Sequence, residues 1–90
     1  MATKKIMVVD DSATERHIIG GILTKAGFEV IFAEDGESGV VKAKSDLPDL
    51  IVMDVVMPGL NGFQATRAIG TDEATKHIPV IICTTKGQET

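Results

Sequence analysis

Polar residues that could act together in chemistry follow three short apolar runs of the sequence: Asp10-Asp11, Asp54 and Thr84-Thr85. If these runs are strands of one open α/β sheet, the polar residues stand at the carboxyl ends of the strands, where such sheets bind ligands. If the first and third strands are neighbours, three carboxylates converge there. Like charges at that spacing are unfavourable unless one is protonated or a cation is present.

Mg²⁺ is the natural cation for such a group of carboxylates. It is a hard ion that takes oxygen ligands, usually one or two carboxylates together with waters and phosphate oxygens. We therefore predict an acidic Mg²⁺ pocket formed by Asp10, Asp11 and Asp54. The hydroxyl of Thr84 would be available there to donate a hydrogen bond to an anion.

A pocket of this kind suits phosphoryl transfer. A carboxylate can act as the nucleophile and form an aspartyl phosphate. The metal neutralises charge on the transferring group, while the protein supplies position rather than covalent chemistry. Since the central strand should carry the nucleophile, Asp54 is the expected acceptor.

The apolar runs Ile6–Val9, Leu50–Met53 and Val80–Cys83 are continuous and rich in β-branched residues, which is typical of strands buried on both faces of a parallel sheet. A shorter run, Glu29–Ala33, indicates a fourth strand. Helical patterns lie between them: an apolar stripe over 18–26 that ends at Gly27, a segment from Asp35 to Leu47, and one from Asn61 to Gly70. The order β-α-β-α-β-α-β predicts an α/β protein with a doubly wound parallel sheet.

Composition excludes several functional classes. Ninety residues suffice for one domain at most. The net charge of −4 argues against nucleic-acid binding, and no apolar run approaches the length of a membrane span. The single cysteine, Cys83, excludes an intrachain disulfide and fits a reducing cytoplasm. Each polar motif alone has an ordinary structural explanation, such as a helix cap or a turn, and it is their agreement on one pocket that favours function.

Three segments, Ile6–Ser12, Asp49–Gly62 and Ile78–Thr84, resemble a response-regulator receiver (CheY-like) domain, and the resemblance covers all 90 residues. It implies a flavodoxin-like sheet in the order 2-1-3-4. It also implies that Asp54 accepts a phosphoryl group from a histidine kinase, and that Mg²⁺ is held by Asp10, Asp11, Asp54 and the backbone carbonyl of Val56. Thr84 matches the family's switch hydroxyl.

The resemblance is closest to single-domain regulators of twitching-motility (type IV pilus) chemosensory systems, through Met57–Thr66 and Thr84–Lys86. It implies a signalling module more than an enzyme, although the domain would catalyse its own phosphorylation. No DNA-binding domain follows, so we expect the output to be a phosphorylation-dependent surface that binds a downstream protein.

The sequence also departs from the family. It ends shortly after the fourth strand, so that residues 1–90 correspond to a C-terminally incomplete receiver, without the fourth helix, the fifth βα unit and its lysine. An alternative function is therefore a module that no longer signals and self-associates through its exposed fourth strand. A Mg²⁺-dependent phosphatase is a third possibility, but it would need a second aspartate where Val56 stands.

Overall fold

Seven elements alternate along residues 4–83, which are the part of the chain that our computed structural model describes. In chain order they are β1 (Lys5–Val9), α1 (Ala13–Lys25), β2 (Glu29–Ala33), α2 (Gly36–Asp46), β3 (Leu50–Asp54), α3 (Gly62–Thr71) and β4 (Val80–Cys83). The predicted alternation is confirmed over this range. None of the helices described is both long enough and apolar enough to cross a membrane.

The strands of residues 4–83 form one sheet in the order β2-β1-β3-β4, and every neighbouring pair is parallel. Val9 at the end of β1 stands opposite both Ala33 of β2 and Met53 of β3. The residues that follow Val9 and Met53, Asp10 and Asp54, therefore leave the sheet side by side at its carboxyl edge. The doubly wound α/β fold and the strand order 2-1-3-4 are both confirmed.

The two faces of the sheet are covered unequally in the described part of the chain. Across the sheet, the connection from β1 to β2 runs in one direction, and the connections from β2 to β3 and from β3 to β4 run in the other. Because such crossovers are right-handed, α1 lies on one face of the sheet and α2 and α3 lie on the other. The main buried core lies on the face of α2 and α3. It includes Met7, Val9, Ile51, Met53, Ala65 and Ile69.

Each described helix begins at a polar residue that caps it. Ser12, Asp35 and Asn61 accept hydrogen bonds from the backbone N–H groups three residues later, at 3.2, 2.7 and 2.9 Å. Such caps satisfy N–H groups that the first turn of a helix leaves without a partner. The predicted starts at Asp35 and Asn61 are confirmed.

The end of α2 differs from the sequence prediction. Leu47 was expected to continue the apolar face of this helix, but it is the C-cap, with φ 47° and ψ 62°, and its side chain is 51% exposed. This left-handed conformation is uncommon for a residue with a Cβ atom. Pro48 follows, and a helix rarely continues into the residue before a proline.

Some apolar residues are more exposed than their patterns indicated. Ile18 and Ile22 of α1 and Phe63 of α3 are exposed among the described residues. The prediction that β4 is buried on both faces is wrong for this part of the chain, because Ile81 is 53% exposed and Ile82 is exposed as well. The physical reason is position: β4 lies at the edge of the sheet, and the contacts of α1 with the sheet are made to β1 and β2.

Candidate metal centre

Asp10 is held firmly at the end of β1. Its backbone N–H donates to the carbonyl oxygen of Ala33 at 3.1 Å, which extends the pairing of β1 with β2 by one step. Its carboxylate Oδ1 accepts a hydrogen bond from the backbone N–H of Ser12 at 2.9 Å. The residue is 1% exposed, and backbone hydrogen bonds hold both its main chain and one of its carboxylate oxygens.

Asp54 is the last residue of β3, and it is 2% exposed. It stands opposite Cys83 of β4, and the preceding residue of β3, Met53, stands opposite Val9 of β1. The loop after β3 is closed by a hydrogen bond between its two ends: the backbone N–H of Gly62 donates to the carbonyl oxygen of Val55 at 3.1 Å. The start of α3 is thereby held against the end of β3.

The structure brings Asp10, Asp11 and Asp54 together, as the sequence predicted. Carboxylate oxygens from the three residues all lie within 4.8 Å of one another, with Asp10 and Asp54 buried and Asp11 exposed. Oxygens that share one Mg²⁺ at its usual bond length lie at most ~4.2 Å apart, so only a small contraction would close this set on the ion. Carboxylate oxygens are the hard donors that such a cation prefers, and a divalent cation would offset the like charges of the buried Asp10 and Asp54. Because Asp11 is exposed, the cation would enter from its side.

The other predicted site residues are not tested to the same degree. Val56 lies in the exposed loop between β3 and α3, and its role as a ligand through its carbonyl oxygen stays a prediction. Thr84 lies outside the described residues, as do Thr85 and Lys86. The role of the Thr84 hydroxyl is therefore also a prediction.

One contact at this edge of the sheet was not foreseen from the sequence. Arg16 of α1 donates from Nη1 to the backbone carbonyl oxygen of Asp10 at 2.6 Å. Lys42 of α2 makes a similar hydrogen bond, from Nζ to the carbonyl oxygen of Phe32 near the end of β2. Helical side chains lean toward the N-terminus of their helix, so a long cation at the end of the first turn of α1 was the available signal.

Comparison with known proteins identifies the family and agrees with this fold. Residues 6–90 match the response regulator receiver domain family, and the chain belongs to that family. The resemblance noted from the three sequence segments is thereby confirmed.

Protein PilH of Pseudomonas aeruginosa is 54% identical over 86 residues, a match that covers 96% of this chain and 71% of that protein. Response regulator PleD of Caulobacter vibrioides is 41% identical over 80 residues, which are 89% of this chain but 18% of PleD. The chain thus spans part of the length of these relatives.

A solved structure shows the same architecture and carries a metal. The receiver domain of sensor histidine kinase PA1611 from Pseudomonas aeruginosa superimposes with a TM-score of 0.88 at 31% identity, over 98% of this chain and 72% of that chain. That structure is described as holding a magnesium ion coordinated in the active site cleft.

Proposed function

We propose that this protein is a phosphoryl acceptor in two-component signalling, and that Asp54 receives the phosphoryl group from a histidine kinase. The observation that carries the proposal is the cluster of Asp10, Asp11 and Asp54 at the carboxyl edge of a receiver-type sheet. Asp54 is the nucleophile because it is the last residue of the inner strand β3, while Asp10 and Asp11 lie on the turn that follows the adjacent strand β1.

The transfer exchanges one bond to phosphorus for another. A carboxylate oxygen of Asp54 forms a bond to phosphorus while the bond between phosphorus and the kinase's histidine nitrogen breaks. The electron pair of the broken bond stays on that nitrogen, which takes up a proton from solvent when it leaves as the neutral imidazole. The protein's own contribution is to hold the attacking oxygen in line and to exclude competing geometries.

The residues around Asp54 fit this role. Asp10, Asp11 and Asp54, with the carbonyl oxygen of Val56, would hold Mg²⁺, which supplies positive charge next to the oxygens of the transferring group. The magnesium ion in the cleft of the PA1611 receiver supports this assignment. The hydroxyl of Thr84 would donate to a phosphoryl oxygen and so couple phosphorylation to the surrounding surface.

The output we propose is a phosphorylation-dependent surface that binds a downstream protein in the cytoplasm, with no contact to nucleic acid or membrane. The net charge of −4 supports a protein partner over a nucleic acid. The 54% identity to PilH and the resemblance of Met57–Thr66 support placement in a type IV pilus chemosensory system. We treat residues 1–90 as one receiver domain that signals rather than turns over substrate.

The proposal is tested by intact-mass spectrometry after incubation with Mg²⁺ and acetyl phosphate. We expect one phosphoryl adduct on the wild-type chain and none on Asp54→Ala. Asp49→Ala is the matched control, because Asp49 lies next to β3 at the opposite edge of the sheet and should leave the adduct unchanged. A folded wild-type chain that forms no adduct, or an Asp54→Ala variant that still does, would overturn the proposal.

A second candidate function, self-association, is favoured by one observation. Among the described residues β4 pairs with β3 alone, and its residues Ile81 and Ile82 are exposed. An exposed apolar edge strand is a template for pairing with another chain, and a second copy carries the same edge.

Light scattering across a concentration series tests this second candidate. Self-association through β4 predicts a dimer mass that Ile81→Lys returns to the monomer. Val41→Lys is the matched control, since Val41 is an apolar residue on α2 that is at least as exposed as Ile81. A wild-type chain that remains monomeric at micromolar concentration would exclude self-association as its function.

A further inference from the structure

Arg16 is tied to the turn that carries the acidic residues. Its backbone N–H donates to the carbonyl oxygen of Ser12 at 3.0 Å, in the first turn of α1. Its guanidinium turns back along the helix, and Nη1 donates to the carbonyl oxygen of Asp10 at 2.6 Å. One residue therefore connects the body of α1 to the peptide group that joins Asp10 to Asp11.

We propose that Arg16 is a positioning residue for the metal centre, acting on Asp11 through the peptide between Asp10 and Asp11. This inference rests on the proposed function for the identity of the cation, and it goes beyond it by assigning a role to a residue that does not belong to the acidic cluster. Arg16 would hold the plane of that peptide, and the direction in which Asp11 leaves the backbone follows from that plane.

The need for such support differs between the two aspartates of the turn. Asp10 is buried, and its N–H and its carboxylate are both hydrogen-bonded to backbone groups. Asp11 is exposed, and the peptide that joins it to Asp10 sets the direction in which its side chain leaves the backbone. A functional group must be held within ~0.5 Å of its productive position, and a small rotation of the preceding peptide would exceed that. The charge-assisted hydrogen bond from Arg16 opposes this rotation.

Charge alone makes the opposite prediction. A guanidinium close to a cation site repels the cation, so removing the charge of Arg16 should strengthen Mg²⁺ binding if its effect were only electrostatic. Loss of a positioning contact should weaken Mg²⁺ binding instead. The sign of the change in affinity therefore separates the two effects.

Lys42 provides a matched control within the same chain. It is also a cation that donates to a strand-end carbonyl oxygen, that of Phe32. Its hydrogen bond is on β2, however, and not on the turn of Asp10 and Asp11. Lys42→Gln thus removes one positive charge and a charge-assisted hydrogen bond, as Arg16→Gln does, without touching that turn.

The experiment is a calorimetric titration of the 90-residue chain with Mg²⁺ alone, for wild type, Arg16→Gln, Arg16→Lys and Lys42→Gln. We expect Arg16→Gln to weaken Mg²⁺ binding at least tenfold, in the range found when residues supporting metal ligands are replaced. Arg16→Lys should recover part of the affinity, and Lys42→Gln should leave it unchanged or slightly stronger. Urea unfolding without Mg²⁺ checks that each variant is folded. If Arg16→Gln does not fold, the Mg²⁺ affinity of Arg16→Lys is compared with that of wild type instead.

Two results would overturn the inference, and they are distinguishable. Arg16 variants that bind Mg²⁺ as tightly as wild type, or more tightly, would remove the positioning role while leaving the proposed function in place. A folded wild-type chain that binds no Mg²⁺ would overturn the proposed function and this inference together.

Discussion

The main chain at Gly62 runs directly against Asp54 and the residue that follows it. A Cβ atom at residue 62 would overlap the carbonyl oxygen of Asp54 and lie 2.9 Å from the Cα atom of Val55. These are backbone atoms, so they cannot move aside as the end of a flexible side chain can. The close packing of α3 against the end of β3 therefore depends on the absence of a side chain at this position.

We expect Gly62→Ala to lower the free energy of unfolding by about 3 kcal/mol, because the methyl group forces α3 away from β3. Gly21→Ala is the matched control: residue 21 lies inside α1 with nothing within 4 Å of an added Cβ atom. It should raise stability by up to ~1 kcal/mol, since alanine favours helix more than glycine does. Urea unfolding of both variants checks the prediction, which fails if Gly62→Ala is as stable as wild type.

Asp54→Asn should stabilise the protein in the absence of Mg²⁺. It removes one of three carboxylates whose oxygens lie within 4.8 Å of one another, and two of these are buried. We expect a gain of about 1 kcal/mol in metal-free buffer, from relief of like-charge repulsion. Added Mg²⁺ should raise the melting temperature of wild type much more than that of the variant.

Thermal unfolding with EDTA and with Mg²⁺ measures both effects of Asp54→Asn. Glu29→Gln is the control, because it removes one negative charge from the start of β2, at the opposite edge of the sheet. Equal stabilisation by both substitutions would mean that overall charge, rather than the cluster, sets the stability.

The sequence predicted the carboxylate cluster well because the ends of the two strands that carry it are marked locally. Continuous apolar runs mark β1 and β3, and the residues that follow them must emerge at one edge once the strands are parallel neighbours. The polar caps Asp35 and Asn61 marked the starts of two helices for an equally local reason.

Asp35 should make the free energy of unfolding depend on pH. The pKa of Asp35 is lowered, chiefly because its carboxylate accepts a hydrogen bond from the backbone N–H of Ser38. A carboxylate with a lowered pKa in the folded state stabilises above its unfolded pKa, about 4, and this contribution is lost as the pH falls through the folded value. The stability of wild type relative to Asp35→Asn should therefore fall below about pH 4.

Denaturant unfolding between pH 7 and pH 3 tests this dependence. Asparagine caps a helix without titrating, whereas Asp35→Ala removes the cap and should cost about 1 kcal/mol at pH 7. A constant difference between wild type and Asp35→Asn across this range would contradict the prediction.

Leu47→Gly should stabilise the protein. Leu47 has a positive φ of 47°, a conformation that is unfavourable for a residue with a Cβ atom and free of strain for glycine. Its side chain is half exposed, so little packing is lost. We expect a gain of roughly 0.5–1 kcal/mol in urea unfolding. Leu47→Ala retains the Cβ atom and should give no gain; an equal gain from alanine would show that the backbone conformation is not the cause.

The features that sequence analysis missed arise from how elements are placed relative to one another. Nothing local distinguishes Leu47 as a left-handed cap, because its conformation depends on how α2 must turn into β3. The hydrogen bond from Arg16 to Asp10 also depends on the angle at which α1 leaves β1, and the position of a cation in the helix does not give that angle. The apolar stripe predicted α1 as a helix, but not the exposure of Ile22, since exposure depends on which strands the helix covers.

The placement of the acidic residues on β1 and β3 has a kinetic consequence. In sequence, β2 and two helices separate these strands, so the three carboxylates meet after loop closure over a long stretch of chain. If β1 and β3 pair only after the folding transition state, a cation bound by all three carboxylates contributes little to that state. Interactions that are absent from the transition state act on the unfolding rate, so Mg²⁺ at this site would prolong the lifetime of the folded chain rather than hasten its folding.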